Sequence, residues 1–314
     1  MANYDVIIFT AEKQRPSLNH WVLLLKEWLR GVEHPKYGGH SAVTRSLVDG
    51  LNSLPSVKWL YPRNYGNQTA KIFHAVSGHV SVRVGIQAKR QGLCQRLIVG
   101  PNIVVRAFEQ DSLLASPEID VVLVPSEWVK CMYEADEPRL RGKIEVWPAG
   151  VDVSQWSPSG SLRSKVLIYD KREPELSARI AEVILASGND YEIIRYGAYS
   201  AEQYRSALDR AKVCIVVGGS ESQGIALAEA WAMNVPTLVR RVDYNEEVES
   251  ACSAAPYLSY ATGAFWSGEE ELLQLLQVSP EQYSPRDWVL ANCTDRHAAI
   301  SLLRIAGLPS KPMN

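Results

Sequence analysis

Two carboxylates with seven residues between them flank a glycine in SESQGIALAEAWAMNVPTLV: Glu221, Gly224 and Glu229. An apolar strand and a Gly218-Gly219 loop precede them, and a helical run follows. That order puts the backbone N–H groups of Gly224 and Ile225 at a helix N-terminus, where they can bind phosphate. Glu221 then lies just before the helix, close to whatever the phosphates carry. Glu229 lies one to two turns in, and a carboxylate there suits a vicinal diol such as a ribose. The sequence has no Asp-x-Asp, the usual carboxylate pair for a divalent metal. No metal site or cofactor is expected.

The elements that must position these groups alternate. Buried strands are expected at 6–9, 71–76, within 96–105 (ending in Gly100-Pro101-Asn102), 120–124 and 143–147, with helices at 42–54, 81–91 and 127–133. After a Pro/Gly/Ser-rich segment, PAGVDVSQWSP, the alternation restarts. Strands at 165–169, 191–196, 213–217 and 237–239 are interleaved with helices at 174–186, 201–211 and 225–233. A helical region near 246–250 and amphipathic stretches at 269–277 and 285–305 follow. Strand–helix alternation with apolar runs such as DVVLV and VCIVV predicts α/β architecture with parallel sheets covered on both faces. The restart predicts two such domains, whose ligands sit beyond the carboxyl ends of the strands. The expected boundaries are 1–155, 156–285 and a helical segment 286–314, containing Trp288, that packs back toward the N-terminal domain.

Composition narrows the class. The 314 residues are 46% hydrophobic and 22% charged, which excludes a disordered chain. The formal net charge is −2, unlike a nucleic-acid binder. Residues 1–150 carry 18 basic against 14 acidic groups, so the first half is mildly basic. Five cysteines without CxxC spacing argue for buried thiols in a reducing compartment. The opening residues lack a leader pattern and no run reaches 18 apolar residues. A cytoplasmic protein is expected, one that can sit peripherally on the inner face of a membrane. The stripe Trp21, Leu24, Leu25, Trp28 and Leu29 suits a core-facing helix better than a membrane-surface one.

In register, ESQGIALAEAWAMNVPTLV resembles the Glu-x7-Glu motif, EGFGLPLLEAMACGVPVI, of retaining glycosyltransferases of the GT-B fold, the family-4-like group. Both glutamates, the glycine, the Glu-Ala pair and the Val-Pro match. Ser222-Gln223 replaces Gly-Phe, and Asn234 replaces a glycine. PAGVDVSQWSP resembles the interdomain PNGVDxxxFxP segment, VLVPSEWVKCMY the strand and helix before it, and Gly38-Gly39 the N-terminal glycine loop. The resemblance spans most of the chain in order and is more specific in the C-terminal half.

The resemblance implies two Rossmann-like, doubly wound parallel-sheet domains facing a cleft. It also implies metal-independent transfer of a sugar from a nucleoside-diphosphate donor, with retention by same-face attack. The implied catalytic set is Glu221, on the donor sugar, with Lys171 and Arg172 on the diphosphate. The implied donor-binding set is Gly38, Gly39, Tyr196, Gly197, Ser222, Gln223, Gly224, Ile225 and Glu229, the last on the ribose. His74 and Asn102 fall on the acceptor side. Asn102 stands where many relatives carry histidine, and the family's second lysine has no counterpart at Leu176. The acceptor, whether glycan, lipid-linked or small molecule, is not encoded in the motif.

Each feature has a plainer reading: solvated acids at a helix start, basic residues at a strand end, a glycine turn, a core histidine. Two other functions share the fold: a sugar-nucleotide epimerase, and a nucleotide-sugar-binding scaffold without transfer.

Overall fold

The computed structural model describes residues 2–11 and 39–309. The Trp21–Leu29 stripe and Gly38 lie outside them. The chain forms two compact units, residues 1–148 with 296–314, and residues 149–295.

The first unit holds a six-stranded sheet. Its strands are β1 (Tyr4–Thr10), β2 (Trp59–Leu60), β3 (Ala70–Ser77), β4 (Cys94–Asn102), β5 (Val121–Val124) and β6 (Ile144–Val146). The order is β2-β1-β3-β4-β5-β6 and every pairing is parallel. Helices α1 (Gly39–Asn52), α2 (His79–Arg90) and α3 (Glu127–Asp136) belong to the same unit.

The second unit holds β7 (Lys165–Lys171), α4 (Pro174–Ala186), β8 (Tyr191–Arg195), α5 (Ala201–Arg210), β9 (Ala211–Gly218), α6 (Ile225–Ala232) and β10 (Thr237–Arg240). After them come β11 (Tyr244–Asn245), β12 (Ser250–Ala251), β13 (Gly263–Trp266), α7 (Glu269–Leu276) and α8 (Pro285–Asn292). Its parallel sheet runs β13-β10-β9-β7-β8, with the order reversing between β7 and β9. In such sheets the reversal opens a crevice at the carboxyl ends of the two strands.

Apolar clusters cover both faces of this sheet. Leu167, Tyr169, Cys214, Val216 and Val239 pack with α5 and α6 on one face. Ile168, Ile215, Val217 and Leu238 pack with Ile180 and Ile184 of α4 on the other. A fully buried aliphatic side chain contributes about 1.5–3 kcal/mol, so the apolar run Val213–Val217 of β9 is a main support of the unit.

The structure corrects three expectations. The boundary falls at Pro148/Ala149 rather than 155/156, because Trp156 is buried in the second unit's core beside Tyr204. The stretch expected as one segment from 286 divides. Its first part, α8, packs on α6, with Trp288 against Trp231 at 5.3 Å. Helix α9 (Asp295–Ile305) joins the first unit from Arg296, where the Ala298 carbonyl accepts from Trp147 Nε1 at 2.8 Å. The region near 246–250 is not helical. β11 pairs antiparallel with β12, and Asn245 Oδ1 accepts from the Glu247 and Val248 amides, holding the turn.

No helix among the described residues is long and apolar enough to cross a membrane. Cys94, Cys214 and Cys293 are buried, as expected for core thiols, whereas Cys131 is exposed.

Candidate functional site

The strongest concentration of expected site residues lies at the carboxyl ends of β7 and β9. Lys171 ends β7 opposite Gly218 in register. A Cβ on Gly218 would lie 2.6 Å from Lys171 Cβ, so only glycine lets the two strands meet here. The Lys171 ammonium lies 2.7 Å from Glu221 Oε1 and donates to the Ser220 carbonyl at 3.0 Å. The pair is mostly shielded, so its attraction is screened less than on an open surface.

The loop from Gly218 to Gly224 is pinned at several points. The Glu221 amide donates to Ser253 O at 2.9 Å. Asn245 Nδ2 donates to Ser220 Oγ at 2.6 Å. Gly224 adopts a left-handed conformation, φ 84°, at the start of α6, which an L side chain resists. Ile225 is the first residue of the helix, so the expected helix N-terminus is present where the motif places it.

Helix α6 is buried nearly all round, from Leu227 to Ala232. Glu229 is the lone charged residue in it and is 8% exposed. Placing a carboxylate in such a helix is costly without a compensating role. It lies in the field of a tyrosine group, where Tyr169 and Tyr199 hydroxyls are 3.0 Å apart. Burial foremost, with a contribution from Glu229, pushes the Tyr199 phenol up to about 12. Tyr169 is raised too, mainly by burial and partly by Glu221 and Glu229, so both carboxylates act on one neighbourhood. Sequence reasoning missed Tyr169, Tyr199 and Asn245, which carry no local signature.

Arg172 is exposed and has φ 67°, a conformation that costs a non-glycine residue about 1–2 kcal/mol. Its guanidinium lies 5.4 Å from the centre of the Tyr196 ring, and the Lys171 ammonium 6.0 Å from it. The Tyr196 amide donates to Asp170 O at 2.8 Å. Gly197 follows at φ 79° with open space around it. Lys171, Arg172, Tyr196 and Glu221 are thus linked by direct contacts, with Ser222 exposed on the adjoining loop.

Gln223, expected among the donor-binding residues, has its amide committed elsewhere. Its Oε1 accepts from the Ala149 amide at 3.0 Å and its Nε2 donates to the Ala149 carbonyl at 2.7 Å. The side chain anchors the loop instead of reaching outward.

The two acceptor-side candidates lie in the first unit, on β3 and β4. His74 is fully buried, with Nε2 2.9 Å from Gly100 O and its ring edge-on to Trp147. Burial lowers its pKa to about 4, against a smaller upward pull from the Gly100 bond, so it is neutral at pH 7. Asn102 ends β4, and its Nδ2 is buried with no hydrogen-bond partner among the described residues. Gly39 opens α1. Among the described residues, no group of three or more His, Cys, Asp or Glu is placed to hold a metal ion.

No protein-family model matches the sequence, and no curated protein matches it. Solved structures do. The chain is similar to a sucrose-phosphate synthase from Thermosynechococcus elongatus at TM-score 0.52 and 13% identity, over 96% of this chain and 98% of that one. It is similar to the catalytic domain of starch synthase IV from Arabidopsis thaliana, bound to ADP and acarbose, at TM-score 0.53 and 9% identity, over 86% and 78%. The apo form of the lipopolysaccharide outer core galactosyltransferase WaaB matches at TM-score 0.57 and 11% identity, over 96% and 98%. At these identities the likeness is one of fold. The chain has the GT-B fold, with two parallel-sheet α/β units.

Proposed function

We propose that the chain is a glycosyltransferase of the hexosyltransferase class (EC 2.4) that moves a sugar from a nucleoside-diphosphate donor to a hydroxyl of a glycan, lipid-linked or small-molecule acceptor. The carrying observation is the Lys171–Glu221 pair beside the glycine-led start of α6, with Glu229 buried in that helix. The fold shared with two sugar synthases and a galactosyltransferase, one of them bound to ADP, supports the same reading.

In this reading the Glu229 carboxylate accepts from the ribose hydroxyls and Glu221 from hydroxyls of the donor sugar. The bond from the anomeric carbon to the diphosphate oxygen breaks, and its electron pair stays on the diphosphate. Lys171, Arg172 and the Gly224 and Ile225 amides stabilise that charge, so the departing group needs no divalent metal. The acceptor oxygen bonds the anomeric carbon on the face the diphosphate leaves, and its proton passes to a diphosphate oxygen. The configuration is retained.

The test is calorimetric titration with UDP, GDP, ADP, TDP and CDP in EDTA, then assay of the matching nucleotide sugars for transfer or hydrolysis. Binding of one diphosphate and turnover in EDTA are expected. No binding overturns the donor site. Binding without turnover by any acceptor class makes the chain a non-catalytic nucleotide-sugar binder, and base-retaining isomerisation makes it an epimerase.

A further inference from the structure

We infer that Arg240 is a further phosphate-binding cation, completing with Lys171 a two-sided clamp across the tip of β9; this rests on the donor reading above. The sheet order places β9 between β10 and β7. Successive residues of a strand face opposite sides, so Arg240 leaves the sheet on the side of Leu238. That side carries α4, with Leu238, Ile180 and Ile184 in one cluster. Lys171 leaves on the side of Tyr169, which carries α6, with Leu227 and Trp231 in the other cluster. Lys171 pairs with Glu221, which precedes α6, and Arg240 Nη1 lies 3.6 Å from Glu173 Oε1, which immediately precedes α4. The two cations therefore flank the Gly218-Gly219 tip from opposite faces of the sheet. At Gly219 a Cβ would meet nothing within 4 Å, so the tip has room beside it.

The other cations at these strand ends are placed differently. Arg195 faces buried Asp170 at 3.6 Å, Arg172 lies over Tyr196, and Arg241 lies over Phe265. The first turn of α4, Pro174 to Ser177, has no basic residue. Among the described residues, Arg240 is thus a basic side chain delivered to that helix start from a different strand. Its pair with Glu173 is long, with side chains 37% and 44% exposed. Such a pair is weak and easily exchanged for a phosphate, whose oxygens match the planar guanidinium fork. A diphosphate offers a charged group to each side of the clamp, whereas a monophosphate can occupy one.

The test is calorimetry of wild type, Arg240→Ala, Arg240→Lys and Glu173→Gln with UDP, ADP and GDP and with UMP, AMP and GMP. Arg240→Ala is expected to lose roughly ten- to a hundredfold in affinity for the diphosphate that wild type binds, the usual effect of losing a charged hydrogen-bond donor. Monophosphate affinity should stay within twofold of wild type. Arg240→Lys should show a smaller loss confined to the diphosphate, and it carries the test should the alanine variant not fold. Glu173→Gln should leave diphosphate affinity unchanged or higher. Equal affinity of wild type and both Arg240 variants for the diphosphate overturns this inference alone. So does an equal loss for mono- and diphosphate, or a loss in Glu173→Gln matching that of Arg240→Ala. A wild-type chain that binds none of the diphosphates overturns the donor reading and the clamp together.

Discussion

Gln223 closes a two-point hydrogen bond on the backbone of Ala149, accepting from its amide at 3.0 Å and donating to its carbonyl at 2.7 Å. The same carbonyl lies 3.7 Å from Cys293 Sγ. A buried carboxamide thus ties the loop that carries Glu221 to the first residue of the second unit. Gln223→Ala removes both bonds, leaving the Ala149 amide without this acceptor and its carbonyl with the weaker Cys293 thiol donor. We expect a loss of about 1–3 kcal/mol, measured by urea unfolding. Gln223→Glu keeps the acceptor but sets a carboxylate oxygen against the Ala149 carbonyl. It should be at least as damaging, and near-wild-type stability of both variants would remove the anchoring role.

Glu229→Ala is expected to weaken nucleoside-diphosphate binding. Loss of hydrogen bonds to a charged group costs about 1.5–3 kcal/mol, roughly 10- to 150-fold in affinity. Unchanged calorimetric affinity would sink the ribose assignment.

Gly218 and Gly219 are adjacent but should respond differently to alanine. At Gly218 the new Cβ meets Lys171 Cβ at 2.6 Å and Lys171 O at 2.8 Å. Overpacking of this kind costs about 1–3 kcal/mol, and nucleotide affinity should fall as Lys171 is displaced. Gly219→Ala meets nothing within 4 Å and should unfold at a similar urea concentration to wild type. Equal effects at the two positions would contradict the close approach of β7 and β9.

The Lys171–Glu221 pair should show coupling in a double-mutant cycle. Lys171→Met leaves the shielded Glu221 carboxylate without that cation, and Glu221→Gln leaves the ammonium without its charge partner. The double variant should lose less stability than the two single losses added together, with a coupling of about 0.5–3 kcal/mol. Additive unfolding free energies would reduce the contact to proximity.

His74 gives a pH dependence. Its pKa in the folded chain is about 4, below the ordinary 6.5, so the unfolded chain takes up the proton first. The stabilisation is full above about pH 6.5 and is lost as the pH falls from there toward 4. One proton corresponds to a slope of at most about 1.4 kcal/mol per pH unit. His74→Gln should flatten the stability profile in that window, and a profile parallel to wild type would contradict the neutral buried ring.

The alternation of apolar strands and amphipathic helices is local, and so it was legible from the residues alone. Strand 213–217 appears within Ala211–Gly218, and helix 225–233 as Ile225–Ala232. The motif places Gly224 at a helix start for the same reason, since a left-handed glycine and an apolar run act over a few residues. The two parallel sheets were determined by the sequence at this level.

Tertiary structure decided which partner each side chain meets. Gln223 binds Ala149, Arg240 faces Glu173, and His74 is sealed under Trp147, although none of these pairs is near in sequence. The 244–251 stretch is charged enough to pass for a helix start, yet Asn245 turns it into a hairpin. The junction at 148 is not legible locally, because the Pro/Gly/Ser-rich segment that follows it reads as linker while its Trp156 packs in the second core. The reason is common to all of these. Periodicity records which face of an element is apolar, but strand order and register decide what stands opposite, and those are set by the packing of the whole unit.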